Sequence, residues 1–259
     1  MDRKNFYNIF DNNTEIDEFL LASIYENIKL CKEIEYPVYT QYFYTPIIWS
    51  QLSKIKLGFK FIALGLNESS ERKILCFSPK ENEDKKINFP VKYFLIKNKS
   101  KFKELQHKDY LGTIMSLGIK RELIGDLLVK DGNCYGIINE SVYEFLVNNL
   151  DIVGKNPVII EEIVPSLVPQ GEFQERIESL SSLRLDAVIS SLANISRNKA
   201  VEKIENGEIL VNYIVIKEKS YILEISDTLT IKKSGKFFLK ANLGENKKGK
   251  NKISFKIFC

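Results

Sequence analysis

The side chains best suited to chemistry in this sequence are the cations of its C-terminal part. From Ser181 onward, 15 Lys and Arg stand against 8 Asp and Glu, a net charge of about +7, whereas the whole 259-residue chain carries +4. Arginine offers a planar fork of donors and lysine a mobile charge, and both suit phosphate groups. Charge of one sign on a small domain attracts polyanions, of which RNA is the commonest in a cytoplasm. The alternative is a solvated surface that serves solubility, and charge alone does not decide between them.

Groups for nucleophilic or metal chemistry are sparse and scattered. His107 is the only histidine, and no second imidazole, cysteine or serine forms a motif with it, so we expect it to cap a helix or make a structural hydrogen bond. The four cysteines lie tens of residues apart without a CxxC pair, which indicates neither a zinc site nor a disulfide and fits a reducing cytoplasm. No uncharged apolar stretch approaches about 18 residues. We therefore predict no metal, no cofactor and no membrane partner.

Hydrophobic periodicity divides the chain into three blocks that must position the charged groups. Residues 1–88 are expected to form a small α+β region. Apolar residues recurring every three or four positions predict a helix over Glu15–Glu33, and a second, short helix should follow Pro46. Two strands are predicted at Phe59–Leu64 and Lys73–Phe77.

The second block, residues 89–168, has the pattern of a ferredoxin-like domain. Its predicted elements are Val91–Ile96, His107–Leu117, Leu123–Val129, Cys134–Ile138, Val142–Leu150 and Pro157–Val164. This βαββαβ order is shared by RNA-recognition domains, which stack bases on aromatic residues of the middle strands. Tyr93 and Tyr135 are the candidates for stacking, but we favour packing roles for both, because aromatic residues are ordinary strand formers.

The third block, residues 181–259, follows a linker that contains proline and glycine. Two helices are predicted at Leu183–Ala193 and Ser196–Asn206, with Ser196 as the N-cap of the second and Gly207 after its end. The predicted strands are Ile209–Tyr213, Tyr221–Ile225, Leu229–Lys232, Phe237–Leu243 and Lys252–Phe258.

Three segments of this block, LRLD at 183–186, SRNKA at 196–200 and GEILVN at 207–212, resemble the S4 RNA-binding domain. In that family two short helices and the following strand form a basic ridge. The resemblance implies that phosphates are bound at Arg184, Ser196, Arg197, Lys199 and Asn212. A helix N-terminus at Ser196 suits this role, because its backbone N–H groups are free to bind anions. Asp186 is expected to position Arg184 or to cap the first helix.

Two further features lie beyond these segments. Ser226-Asp227 stands where many S4 domains have Gly-Asp before a strand, and we expect the turn to survive the change. A predicted hairpin then carries Lys232, Lys233 and Lys236. These lysines are expected to extend the ridge, although a solvated loop is the alternative.

Upstream, KFKELQHKDYLG at 101–112, LGIKRE at 117–122 and IGD at 124–126 resemble the YlmH family. Members of that family join an N-terminal α+β region, a ferredoxin-like middle domain and a C-terminal S4 domain, so the resemblance spans nearly the whole chain. Lys120 and Arg121 are candidates for a second RNA contact. They could equally complement the dipole at a helix end.

The YlmH resemblance implies a non-enzymatic, monomeric, cytoplasmic protein that binds rRNA and tRNA on the large ribosomal subunit and assists the rescue of stalled subunits. An RNA-modifying enzyme is an alternative, since S4 domains often accompany catalytic domains. The sequence lacks the motifs of pseudouridine synthases and tyrosyl-tRNA synthetases and the Gly-rich loop of methyltransferases. A cell-division interaction protein is a third hypothesis, which rests only on the gene neighbourhood of YlmH-like genes.

Overall fold

The computed structural model describes residues 2–10, 16–55, 58–79, 87–100, 104–170, 173–246 and 249–258, which form two compact units, Met1–Gln170 and Gly171–Cys259. The helices of the first unit are α1 (Arg3–Asn8), α2 (Glu18–Ile34), α3 (Pro46–Ser53), α4 (His107–Ser116) and α5 (Tyr143–Asn149). Its strands are β1 (Val38–Tyr44), β2 (Lys60–Leu64), β3 (Lys73–Ser78), β4 (Val91–Asn98), β5 (Ile124–Lys130), β6 (Asn133–Asn139), β7 (Ile152–Val153) and β8 (Asn156–Ile163).

The second unit contains two helices and six strands within the described residues. The helices are α6 (Leu185–Leu192) and α7 (Arg197–Glu205). The strands are β9 (Phe173–Leu180), β10 (Ile209–Val211), β11 (Ile214–Val215), β12 (Thr228–Ile231), β13 (Gly235–Glu245) and β14 (Asn251–Phe258).

The N-terminal region packs α2 against an antiparallel sheet of order β1-β3-β2. Helix α2 begins after Asp17, whose carboxylate accepts a hydrogen bond from the Phe19 N–H at 2.8 Å. Both predicted helices, α2 and α3, and both predicted strands are present, although Glu15 lies outside the described residues. Strand β1 was not predicted, because a bulge between Tyr39 and Phe43 breaks the alternation by which a strand is recognised.

The middle sheet has the order β5-β6-β4-β8-β7, in which the four main strands and helices α4 and α5 form the predicted βαββαβ arrangement. One face of this sheet packs on the two helices. The opposite face is partly covered by the N-terminal region, because Phe43 and Ile74 pack against Tyr93. The Tyr93 hydroxyl donates to the Gly65 carbonyl at 3.2 Å, so the packing role expected for this residue is confirmed.

The segment expected to form the linker contains Pro165, Pro169, Gln170 and Gly171, and part of it belongs to the first unit. Pro165–Leu167 form a 3-10 turn, and Val168 is buried in the same apolar cluster as Tyr93. Folding of this segment onto the sheet is a tertiary effect that its proline and glycine content does not reveal.

The second unit packs α6 and α7 on one face of a sheet of order β11-β10-β12-β13-β14-β9. Strand β9 was not predicted, and it pairs with β14 along its whole length. The predicted strand at Tyr221–Ile225 is wrong. Its backbone bonds instead to the chain that enters α6, with the Leu185 N–H donating to the Tyr221 carbonyl at 2.8 Å and an isolated bridge between Arg184 and Ile222.

Candidate nucleic-acid interface

The carboxylate of Asp186 holds two arginine side chains at the starts of α6 and α7. Its oxygens accept hydrogen bonds from Arg184 Nε at 3.2 Å and from Arg197 Nη1 at 2.8 Å. The carboxylate is buried, whereas the two arginine side chains are 40% and 50% exposed. Burial raises the pKa of Asp186, but hydrogen bonds and charge from the two guanidinium groups leave it below its ordinary value. The expectation that Asp186 positions Arg184 is confirmed, and Arg197 is positioned by the same group.

Ser196 is the N-cap of α7, as predicted. Its hydroxyl accepts a hydrogen bond from the Lys199 N–H at 3.3 Å, and both side chains are exposed. The first turn of helix α7 therefore carries the Ser196 cap, Arg197, which Asp186 holds, and the exposed Lys199. Four of the five residues that the S4 resemblance implies, Arg184, Ser196, Arg197 and Lys199, thus lie at two adjacent helix starts.

Asn212 lies apart from these residues and has a role within the fold. It adopts a φ of 48°. Its side-chain amide donates to Asp227 Oδ1 at 2.7 Å and accepts from the Thr228 N–H at 3.0 Å. These bonds join the end of β10 to the start of β12, so a phosphate contact at Asn212 stays a prediction.

The three lysines of the β12–β13 hairpin do not lie together. Lys232 and Lys233 are exposed in the turn, and the Lys232 N–H donates to the Glu208 carbonyl beyond the end of α7. The hairpin turn and Arg197 are therefore at opposite ends of α7, about 12 Å apart along its axis. Lys236 is half-buried with its Nζ 4.5 Å from the centre of the Tyr213 ring, and burial lowers its pKa to about 8.

Arg121, the candidate for a second RNA contact, binds the backbone of its own unit. Its Nη1 donates to the carbonyls of Ile124 at 2.7 Å and Gly125 at 3.0 Å. Burial and the neighbouring Arg72 lower the pKa of Arg121 to about 10. Lys120 is exposed beside it, so only Lys120 presents its charge fully to solvent.

The adjacent Asp126 accepts hydrogen bonds from the backbone N–H groups of Glu71 at 2.5 Å and Arg72 at 3.2 Å. Arg72 in turn donates to the Phe43 carbonyl at 3.3 Å. The motif residues of the middle domain thus attach it to the N-terminal region. The sequence did not predict that Asp126 joins these two regions. Its only signal was its position in the IGD motif at 124–126.

His107 is the first residue of α4 and is exposed. The cap lies beside it, since the Gln106 N–H donates to Asp109 Oδ2 at 2.8 Å. His107 is therefore not the cap of α4, and the structural hydrogen bond, the other role expected for it, stays a prediction. The start of the motif, residues 101–103, lies outside the described residues.

The described residues offer neither a cluster of metal ligands nor a membrane-spanning helix. No group of three His, Cys, Asp or Glu side chains is placed to hold a metal ion there. In the same residues, no helix combines the length and apolar character needed to cross a membrane. Cys31, Cys76 and Cys134 are buried free thiols.

Comparison with known proteins identifies the family. One family model, described as "Putative RNA-binding domain in YlmH", matches residues 84–166, and the S4 domain model matches residues 183–229. The curated "Ribosome-associated protein quality control protein P2" of Bacillus subtilis (strain 168) is 30% identical over 190 residues, which are 73% of this chain and 74% of that protein. The chain belongs to the YlmH family. A solved structure, "Cell division protein ylmH from Streptococcus pneumoniae", is 27% identical, with a TM-score of 0.46 over 57% of this chain and 91% of that one.

Membership of the YlmH family confirms the α+β class with a C-terminal S4 domain. The S4 match includes the Arg184 and Arg197 pair but ends before the lysine hairpin at Lys232. Strands β9, β13 and β14 also lie outside it, so the second unit extends the matched S4 segment on both sides.

Proposed function

We propose that this protein binds structured RNA on the ribosome without catalysing a reaction, and that the Arg184–Asp186–Arg197 cluster is its principal phosphate-binding element. The proposal rests on the geometry of this cluster. One buried carboxylate fixes two guanidinium groups at neighbouring helix starts while leaving each of them about half exposed. Arginine forks held in this way are preorganised for charge-assisted hydrogen bonds to phosphate oxygens.

We propose that the protein acts as a monomer in the cytoplasm, binds rRNA and tRNA on the large ribosomal subunit and assists the rescue of stalled subunits. The printed name of the Bacillus subtilis relative, with the RNA-binding domain and S4 matches, supports this proposal. The domain division 1–88, 89–168 and 181–259 and the contacts at Ser196, Lys199 and Lys120 belong to the same proposal.

The test is truncation of the two arginines. Arg184→Ala and Arg197→Ala should each weaken binding of a structured rRNA fragment about tenfold, the scale of one lost charge-assisted contact of roughly 1.4 kcal/mol. Binding is measured by fluorescence anisotropy at fixed salt, with circular dichroism to verify the fold. Arg3→Ala, which removes an exposed arginine of α1, is the control. Wild-type affinity in the Arg184→Ala/Arg197→Ala double variant would show that the phosphate contacts lie elsewhere.

A further inference from the structure

The sheet of the second unit has a second face, turned away from α6 and α7. Phe237, Leu239, Ile253 and Phe255 point into the core beneath the helices. Because side chains alternate along a strand, the neighbours of these residues lie on the opposite side. At Lys240, where the register of β13 with β14 shifts, the contact with Glu175 fixes the side. We define the outer sheet face by Lys236, Phe238, Lys240, Lys252 and Lys256, together with Tyr213 at its edge.

Contacts between side chains confirm that these residues share one side of the sheet. Lys240 Nζ lies 3.1 Å from Glu175 Oε1, and the Ser254 hydroxyl donates to the same oxygen at 2.6 Å. In the strand register, Phe238 is opposite Lys256, and Lys256 is opposite Glu175. Side chains from β13, β14 and β9 therefore form a continuous surface, which the Lys236–Tyr213 contact extends toward β10.

The outer sheet face combines positive charge with aromatic rings. The defining residues of this face include four lysines, and Glu175, which contacts Lys240 on the same side, contributes one negative charge, so these residues together are net positive. The Phe238 ring is half-buried and lies between Lys236 and Lys240 along β13. Sheets that bind single-stranded nucleic acids use this combination, in which cations follow the phosphates and rings stack on the bases.

We infer that the outer sheet face binds a segment of single-stranded RNA. The Arg184–Asp186–Arg197 cluster is on the helix side of the same sheet, so the second unit can contact two RNA segments at once, one on each side. RNA is favoured over other polyanions because this unit already carries the S4-domain match. The inference goes beyond the proposed function, which uses the helix side alone.

The test uses full-length protein and a short labelled oligouridylate, whose binding is followed by fluorescence anisotropy over a range of salt concentrations. Lys240→Glu/Lys256→Glu should weaken binding at least about tenfold and reduce the slope of log affinity against log salt by roughly 1.4, because each lost phosphate contact on a single strand removes about 0.7. The milder Lys240→Gln/Lys256→Gln variant should weaken it in the same direction and guards against misfolding of the charge-reversed protein.

The matched control is Lys92→Glu/Lys97→Glu, which makes the same change in net charge. These lysines also lie on a strand and pair with glutamates, and their side chains are 38% and 40% exposed, compared with 43% for Lys240. Oligouridylate binding by this control should stay within about twofold of wild type. If the outer-face variants lose no more affinity than the control does, the effect is one of net charge and the inference is overturned.

Two single variants test the face by other means. Glu175→Gln removes the negative charge but can keep hydrogen bonds to Lys240 and Ser254, and it should strengthen oligouridylate binding about two- to fivefold. Phe238→Leu keeps an apolar side chain but removes the ring, and it should weaken binding about tenfold while leaving the salt slope unchanged, as expected for lost stacking.

A last comparison separates this inference from the proposed function. Arg184→Ala/Arg197→Ala should lose structured RNA and retain oligouridylate, whereas the outer-face variants should show the reverse. If both sets of variants lose both ligands equally, there is a single site and the inference fails. Binding of anionic phosphatidylserine vesicles without binding of oligouridylate would also overturn it and indicate a membrane surface.

Discussion

Asp186 is the residue on which the arginine pair depends. A buried carboxylate is costly unless it is paired, and here two guanidinium groups repay its desolvation. Both guanidinium groups are already oriented by Asp186. Their exposed N–H groups therefore point to fixed places, which lowers the entropy lost when RNA binds.

The backbone conformation of Ser226 affects the stability of the second unit. It adopts a φ of 79°, in the left-handed region that costs a non-glycine residue roughly 1–2 kcal/mol. We predict that Ser226→Gly raises the free energy of unfolding by about 0.5–1 kcal/mol, since relief of this strain exceeds the entropy that glycine adds to the unfolded chain. Urea unfolding measures the change.

Ser234→Gly is the control for that prediction. Ser234 lies in the neighbouring hairpin turn and is not among the described residues with positive φ. Glycine there should leave stability unchanged or lower it by up to about 1 kcal/mol. An equal gain from both substitutions would mean that strain at Ser226 is not the cause.

At the scale of elements, the segment between α4 and β5 joins the middle sheet to the N-terminal region. Arg121 and Arg72 both donate to the Ile124 carbonyl, at the point where a bulge interrupts the pairing of β5 with β6. A bulge leaves carbonyl groups without a strand partner, and the two arginines satisfy them. This explains why an arginine stands at position 121, after α4.

We predict that Arg121→Ala lowers the free energy of unfolding by about 2 kcal/mol, because buried carbonyls lose a charged donor. Lys120→Ala, at the exposed neighbouring position, should leave stability within about 0.5 kcal/mol of wild type. Thermal unfolding and RNA affinity are measured for both variants. A loss of RNA affinity in Arg121→Ala with unchanged stability would instead identify Arg121 as an RNA contact.

Strand β9 is the other element with consequences for function. Arg176 donates to the carbonyls of Ser191 and Leu192 at 3.1 Å, where α6 ends, and Glu178 accepts from the Ser191 hydroxyl. Cations at a helix C-terminus satisfy carbonyls that have no intrahelical partner. Strand β9 thus stabilises the helix whose opposite end carries Arg184.

At the scale of the whole molecule, charge is divided unevenly between the two units. Residues 171–259 carry about +5 and residues 1–170 about −1. Phosphate contacts supply affinity but little sequence information, so the basic unit can bind many RNAs while distinguishing few of them. The proposed preference for the large ribosomal subunit therefore requires a second surface on the same chain.

We predict that a fragment of residues 171–259 binds generic structured RNA with steep salt dependence, and that only the full chain prefers the large subunit over the small one. Sedimentation with purified subunits measures this preference. A fragment that starts at residue 181 should be less stable, because it lacks β9 and the buried Leu180. Equal subunit preference by the 171–259 fragment and the full chain would contradict a selective role for the first unit.

Elements whose signals are local could be predicted from the sequence alone. Apolar periodicity gave α2, α4 and the βαββαβ order, and the Ser196 cap and Gly207 fixed the ends of α7, because helix caps and strand alternation depend on residues within a few positions of each other. The basic, S4-like character of the C-terminal block was visible for the same reason.

Features that depend on distant partners in the chain could be recognised only in the folded protein. Strand β9 exists because β14, some seventy residues later, supplies its hydrogen bonds, while Tyr221–Ile225 bonds to the start of α6 instead of joining the sheet. Arg121 looked like a surface cation until a bulge placed two carbonyls beside its guanidinium. The outer sheet face could be recognised only from strand register, which places each lysine on one side of the sheet. Register depends on pairing with another strand, so no single stretch of sequence reveals it.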